Sequence, residues 1–137
     1  MICTVSLIVY VGSGARKPVP AHWGIFVKEE KASRGTVFHA VGSPFTGYST
    51  EIKLNYSLEK TSRKHESILL ASIDESQVRC LERVSKSLPA PGISPTPLDP
   101  FAGANCQDWA HDFIQALIDQ GIIESSAMDI LEAAPKV

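Results

Sequence analysis

Three residues far apart in this chain carry side chains that can do covalent chemistry together: His22 in the run HWGIFV, His39 in the run VFHAVG, and Cys106 in NCQDWAHDFIQALIDQG. A thiol attacks a carbonyl efficiently only as a thiolate, so a nucleophilic cysteine needs a base within reach and a second group that orients the base. Two imidazoles supply both roles, one taking the thiol proton and the other holding its far nitrogen and fixing the tautomer. The histidines come first, and the cysteine follows more than eighty residues after His22.

The local context of Cys106 supports such a role. With Asn105 as N-cap, Cys106 takes the first helical position, where unpaired backbone N–H groups and the positive end of the helix dipole favour an anion. A helix N-terminus and a neighbouring imidazolium lower a cysteine pKa, and the same amides can hold the oxyanion of a tetrahedral intermediate. Cys106, Trp109, Ala110, Phe113 and Leu117 form one helical stripe, so the thiol is expected to face whatever that stripe packs on. Asp108 lies about 200° around the helix from Cys106 and suits a backbone cap. His111 lies about 140° away, and His65 follows Arg63 and Lys64 in a charged stretch that reads as a solvated turn, so neither is expected in the site. Tyr10, on the minority face of the first strand, reads first as a strand tyrosine packed at a sheet margin and second as a pocket or oxyanion donor, and Trp23 is expected in the core.

The histidines constrain the strands that carry them. Directly opposed residues of an antiparallel hairpin share a constant sum of residue numbers, and 22 and 39 sum to an odd value. Any odd register therefore puts both imidazoles on one face. A constant of 61 opposes them directly, and a constant of 63 sets His39 opposite Gly24, whose missing side chain leaves room. Two histidines and one cysteine leave no evident carboxylate to complete a metal site, so no metal or other cofactor is expected.

The elements that must position these residues are legible as strands and helices. Ile2–Val11 alternates in strand fashion, and Gly12-Ser13-Gly14 and the Pro18/Pro20 pair break the pattern. His22–Lys28 and Thr36–Val41 form a hairpin around the charged turn Glu29–Gly35, and Tyr48–Leu54 and Ser67–Ile73 complete about five strands. Asp74 caps a helix with Gln77 at its third position, Val78, Leu81, Val84 and Leu88 repeat at helical spacing, and Pro89 ends it. The proline-rich stretch Pro89–Ala104 reads as an irregular loop. The main helix runs from Cys106 to Gln120 with Gly121 at its stop, and a short helix, Ser126–Ala134, follows. The expectation is an α+β fold, an antiparallel sheet of about five strands with packed helices, in one domain over residues 1–137.

Composition narrows the function. The chain has 137 residues, 44% hydrophobic and 20% charged, with a formal net charge of -2. That length can bury roughly two-thirds of the unfolded surface, and the charge gives no footprint for nucleic acid. Cys3, Cys80 and Cys106 show no paired Cys-x-x-Cys spacing, which reads as a reducing compartment. The apolar N-terminal run lacks the flanks of a signal peptide, and the C-terminal run is too short and too charged to span a bilayer. A cytoplasmic location without stable membrane insertion is the expectation; oligomeric state is open.

Taken together, HWGIFV, VFHAVG and NCQDWAHDFI resemble the lecithin retinol acyltransferase family and its phospholipase/acyltransferase relatives, in the permuted branch of the NlpC-type papain-like superfamily. Those proteins have His-Trp-Ala-Ile-Tyr-Val-like and Val-Val-His-like strands and Asn-Cys-Glu-His-Phe at a helix start. The resemblance implies a circularly permuted papain-like fold with Cys106 as nucleophile, His22 as general base and acid, and His39 as the orienting third member. It also implies a hydrolase or acyltransferase working through an acyl-thioenzyme on an ester, thioester or amide, with a small-molecule or acyl-carrier-borne substrate. This chain has Asn-Cys-Gln-Asp-Trp, and with no hydrophobic run after Ala134 like the anchor of the membrane-acting members, action on bilayer phospholipid is not the expectation. The PPPDE-type isopeptidases, also permuted, have a similar Asn-Cys helix start, so an isopeptidase is an alternative, as is a non-catalytic binding module.

Overall fold

The computed structural model describes residues 1–11, 19–61, 63–99 and 101–137; the expected breaks at Gly12-Ser13-Gly14 and Pro18 lie outside them. Five strands form one antiparallel sheet: β1 (Ile2–Tyr10), β2 (His22–Glu29), β3 (Arg34–Ser43), β4 (Gly47–Ser57) and β5 (His65–Asp74). Their spatial order is β4-β3-β2-β1-β5, so β1 to β4 step outward as a meander and β5 returns to the far side of β1. β1 carries buried apolar side chains on both faces, because over this strand both are covered. Cys3, Val5, Leu7 and Val9 face the main core, while Ile8 and Tyr10 face a second, smaller cluster with Phe26 and Val37.

Three helices cover the main-core face: α1 (Val78–Ser87), α2 (Cys106–Asp119) and α3 (Ser126–Glu132). Asp74 does cap the first of them, through a 3-10 turn, Glu75–Gln77, that precedes α1; the Asp74 carboxylate accepts from Ser76 N at 2.9 Å. The stripe expected on α2 is buried in full, with Ile114 added to it, and Trp109 stacks on Phe113 at 5.1 Å between ring centroids. Full burial of such side chains stabilises by about 1.5–3 kcal/mol each, so this stripe fixes how the head of α2 sits on β2 and β3. Gly121 adopts the left-handed conformation, φ 71°, that stops α2.

His65 departs from the expected solvated turn. It opens β5 and pairs with Tyr10 across β1, because the ladder runs to the end of both strands. None of the helices among the described residues is long and apolar enough to cross a membrane.

Candidate functional site

Strand pairing builds the histidine cluster. The β2–β3 ladder joins Ile25 to Phe38, Phe26 to Val37 and Val27 to Thr36, a constant of 63. This is the odd register that sets His39 opposite Gly24, and a Cβ built on Gly24 would lie 3.7 Å from that of His39 and 3.2 Å from Val37 Cγ1. Gly24 thus leaves the space in which His22, two residues earlier on the same face, leans across to His39. His22 Nε2 and His39 Nδ1 are 2.8 Å apart. Gly24→Val is expected to push this pair apart and to destabilise the fold by about 1–3 kcal/mol through overpacking, read as a lower urea midpoint; an unchanged midpoint would show that the space is not needed.

The next strand adds a residue that the sequence reading missed. The β3–β4 ladder sets Glu51 directly opposite His39, and Glu51 Oε1 lies 2.8 Å from His39 Nε2. Its signal was available in the hairpin arithmetic: the turn from Ser43 to Gly47 fixes which β4 residue opposes His39. A side chain in an exposed strand gave no other reason to single it out.

The chain of hydrogen bonds assigns the tautomers. An ionised carboxylate only accepts, so His39 Nε2–H donates to Glu51, and neutral His39 then has a lone pair on Nδ1. His22 Nε2–H must donate to that lone pair, which leaves His22 Nδ1 as the unprotonated nitrogen. Burial, then the adjacent His39, then Arg63 and Lys53, push the His22 pKa down to about 4; His39 is pushed down as well, by burial, against the opposing pull of Glu51. Both rings are therefore neutral near pH 7.

Cys106 comes to this cluster from the other side of the sheet. It heads α2 as expected, with Asn105 as N-cap: Asn105 Oδ1 accepts from Gln107 N at 2.8 Å, and Asp108 Oδ2 accepts from Asn105 N at 2.8 Å. Asp108 is thus the structural cap that helical spacing implied. Cys106 is 7% exposed and belongs to the main core with Trp23, whereas His22 and His39 point to the face that the helices leave uncovered. The sulfur instead reaches the main chain at the start of β2, beyond the end of its ladder with β3, on the face opposite the imidazoles.

There the sulfur lies against the backbone on either side of His22. The thiol donates to Ala21 O at 3.8 Å, and the backbone N–H groups of Trp23, Cys106 and Gln107 favour its anion. Among the described residues the hydrogen bond of the thiol goes to Ala21 and not to an imidazole. His22 and His39 are brought together in the structure, and Cys106 is brought to the main chain that carries His22.

One expectation is corrected here. The helix N-terminus was expected to lower the thiol pKa, yet the net direction is upward, because burial outweighs the three backbone donors and His22 carries no charge to help. The resting pair is a neutral thiol and a neutral imidazole. Tyr48 of β4 is a further neighbour: burial first, and then the charge of a Cys106 thiolate, raise its pKa, so its hydroxyl stays a donor.

The remaining candidates fall into place around these residues. Trp23 is buried, and its Nε1–H donates to Pro135 O at 2.9 Å. The chain at Lys136 is tied to the same spot: its carbonyl accepts from Ala21 N and from Gln107 Nε2, both at 2.9 Å. Tyr10 shares the face of His22, with ring centroids 5.8 Å apart, and its hydroxyl lies 3.2 Å from that of Tyr56. It lines the histidine cavity and is on the opposite face of the sheet from the main core of Cys106. His111 sits on the helix side near Glu132, away from the cluster. No group of three or more metal-ligating side chains is found among the described residues.

A family model described as "Family of unknown function (DUF6540)" matches residues 5–124. No curated protein and no solved structure matches the chain.

Proposed function

For this chain, which belongs to the DUF6540 family, we propose a cysteine-dependent hydrolase or acyltransferase on a permuted papain-like fold, working through a thioester on Cys106. The observation that carries the reading is the directed chain Glu51–His39–His22, which leaves a lone pair on His22 Nδ1, the ring nitrogen nearer the backbone against which the Cys106 sulfur rests. A structural histidine pair has no need of a carboxylate that fixes both tautomers in sequence.

In the proposed reaction the thiol turns from Ala21 O to His22 Nδ1 and gives up its proton as sulfur bonds to the acyl carbon of an ester, thioester or amide. The carbonyl oxygen takes the electron pair and is held by N–H donors at the head of α2. Gln107 N–H already has Asn105 Oδ1 as a partner, so the N–H of Cys106 is the donor to count on. Collapse breaks the bond to the leaving group, which receives the proton from His22. Water, an alcohol or an amine, deprotonated by His22, then attacks the thioester and restores the thiol. Glu51 stabilises the imidazolium that forms transiently in this relay. Starting from a neutral pair, proton transfer and attack proceed together, as the raised thiol and lowered imidazole pKa values require.

Intact mass spectrometry with a panel of activated esters and thioesters tests this. A single acyl adduct is expected on the parent chain and none on Cys106→Ala; an adduct that persists in Cys106→Ala, on Cys3 or Cys80, or no adduct with any donor, defeats the reading. A probe made of a ubiquitin-like modifier ending in an electrophile separates the isopeptidase alternative, which requires capture by Cys106.

A further inference from the structure

The uncovered face of the sheet holds a cavity of about 210 Å³ whose lining includes Tyr10, His22, His39, Lys53, Tyr56 and Arg63. At roughly 30 Å³ per water, this is room for several waters, or for a small charged group with a substituent attached. Its lining is unusual in charge. Two cations line it, and no carboxylate is among the described residues that do so.

Of the two cations, Arg63 has no carboxylate partner among the described residues, and Lys53 has a long one. Arg63 stacks its guanidinium on the Tyr10 ring at 4.7 Å from the centroid, and among the described residues it forms no ion pair. Lys53 lies 5.7 Å from the centroid of the Tyr56 ring, and its contact with Glu51 is long, 3.9 Å, against 2.8 Å from the same carboxylate oxygen to His39. Between them the hydroxyls of Tyr10 and Tyr56 are paired at 3.2 Å, which leaves one hydroxyl hydrogen of the pair to donate outward. The field of both cations also reaches the imidazoles, where Arg63 and Lys53 help to hold His22 and His39 in their neutral forms.

Two positive side chains and a free phenolic donor in a concave site whose lining holds no carboxylate, Glu51 being turned to His39 behind it, form the complement of an oxyanion. We infer that this cavity binds the oxyanion of a ligand, a phosphate or carboxylate group, between Arg63 and Lys53 and over the Tyr10–Tyr56 hydroxyl pair. Arg63 supplies a planar fork that fits two oxygens, and Lys53 a point charge. The site does not depend on thiol chemistry at Cys106.

Isothermal titration calorimetry with inorganic phosphate and, separately, acetate tests the inference on the full chain and on Cys106→Ala, where binding is read with no reaction possible. Saturable binding of at least one anion is expected in both. Arg63→Gln and Lys53→Gln should each weaken it by about tenfold, the loss of one charge-assisted hydrogen bond. Arg79→Gln, on exposed α1 at the other face, should leave it unchanged. Arg63 is exposed, so its replacement does not endanger the core. In parallel, the anion should shift the ring-proton resonances of His22 in the parent and leave those of His111 in place. Absence of binding by both anions, or equal weakening by Arg63→Gln and Arg79→Gln, overturns the inference. Binding that persists when no acyl adduct ever forms on Cys106 retains this site and removes the catalytic reading instead.

Discussion

His22→Ala is expected to cut the rate of Cys106 acylation by about 10²- to 10⁴-fold, the usual contribution of a positioned general base. The size follows from the resting state. Burial keeps the thiol protonated, so no preformed thiolate is available to carry the reaction when the base is lost. Second in line, His39 offers a finer test of the tautomer chain. His39→Leu removes the acceptor of His22 Nε2–H and frees His22 to take the other tautomer, in which Nδ1 carries the proton and cannot act as base. His39→Gln keeps a carbonyl that can accept from Nε2, so it should retain a large share of the parent rate. Acylation rates from quenched time courses, read by mass spectrometry for the four chains, check the order parent, His39→Gln, His39→Leu, His22→Ala. Equal rates for His22→Ala and the parent would remove His22 from the mechanism; equal rates for the two His39 variants would remove the tautomer argument.

Stability is expected to fall by up to about 3 kcal/mol between pH 6.5 and about 4 on account of His22 alone. An unfolded chain takes up a proton there near the ordinary value of 6.5, whereas the folded chain holds out to about 4. Through that window the unfolded state binds more protons, so stability declines as pH falls and levels off, for this residue, below about 4. The displacement of roughly 2.5 pH units sets the size, at 1.36 kcal/mol per unit. His39 shifts in the same direction and adds to the loss. Against a total stability of about 5–15 kcal/mol this is a large fraction. Urea unfolding of the parent and of His22→Gln at pH 7 and pH 4.5 reads it as a difference between chains, which cancels the carboxylates common to both. The parent should lose more on acidification; an equal loss in the two chains would mean that His22 titrates normally when folded.

Which parts of this were legible beforehand depends on the range over which each signal acts. The five strands, the Asn105 cap, the Cys106 stripe and the left-handed stop at Gly121 are written within a few residues of one another, and all are found where the pattern of apolar and capping residues puts them. The shared face of His22 and His39 needed only parity, since a side-chain period of two makes any odd register equivalent. The choice between constants of 61 and 63 needed the turn geometry, and 63 is the one found.

Glu51 shows where local reading stopped. Its partner lies one strand away, and nothing within β4 distinguishes it from the other polar residues of an edge strand until the β3–β4 turn sets the register. The thiol pKa shows a different limit. Local sequence reveals the favourable helix terminus but not the amount of water removed around the sulfur, and desolvation is the larger effect.

By itself, then, the sequence determined what acts over short range: strand and helix identities, the caps, the placement of Cys106 at a helix head, and the common face of His22 and His39. Only the tertiary structure decided the directed chain from Glu51 through His39 to His22, the neutral resting state of thiol and imidazole, and the approach of Cys106 to the backbone of β2 from the opposite face. Those depend on pairing between strands, on burial summed over the whole core, and on how α2 docks against the sheet, and no short stretch of residues encodes any of them.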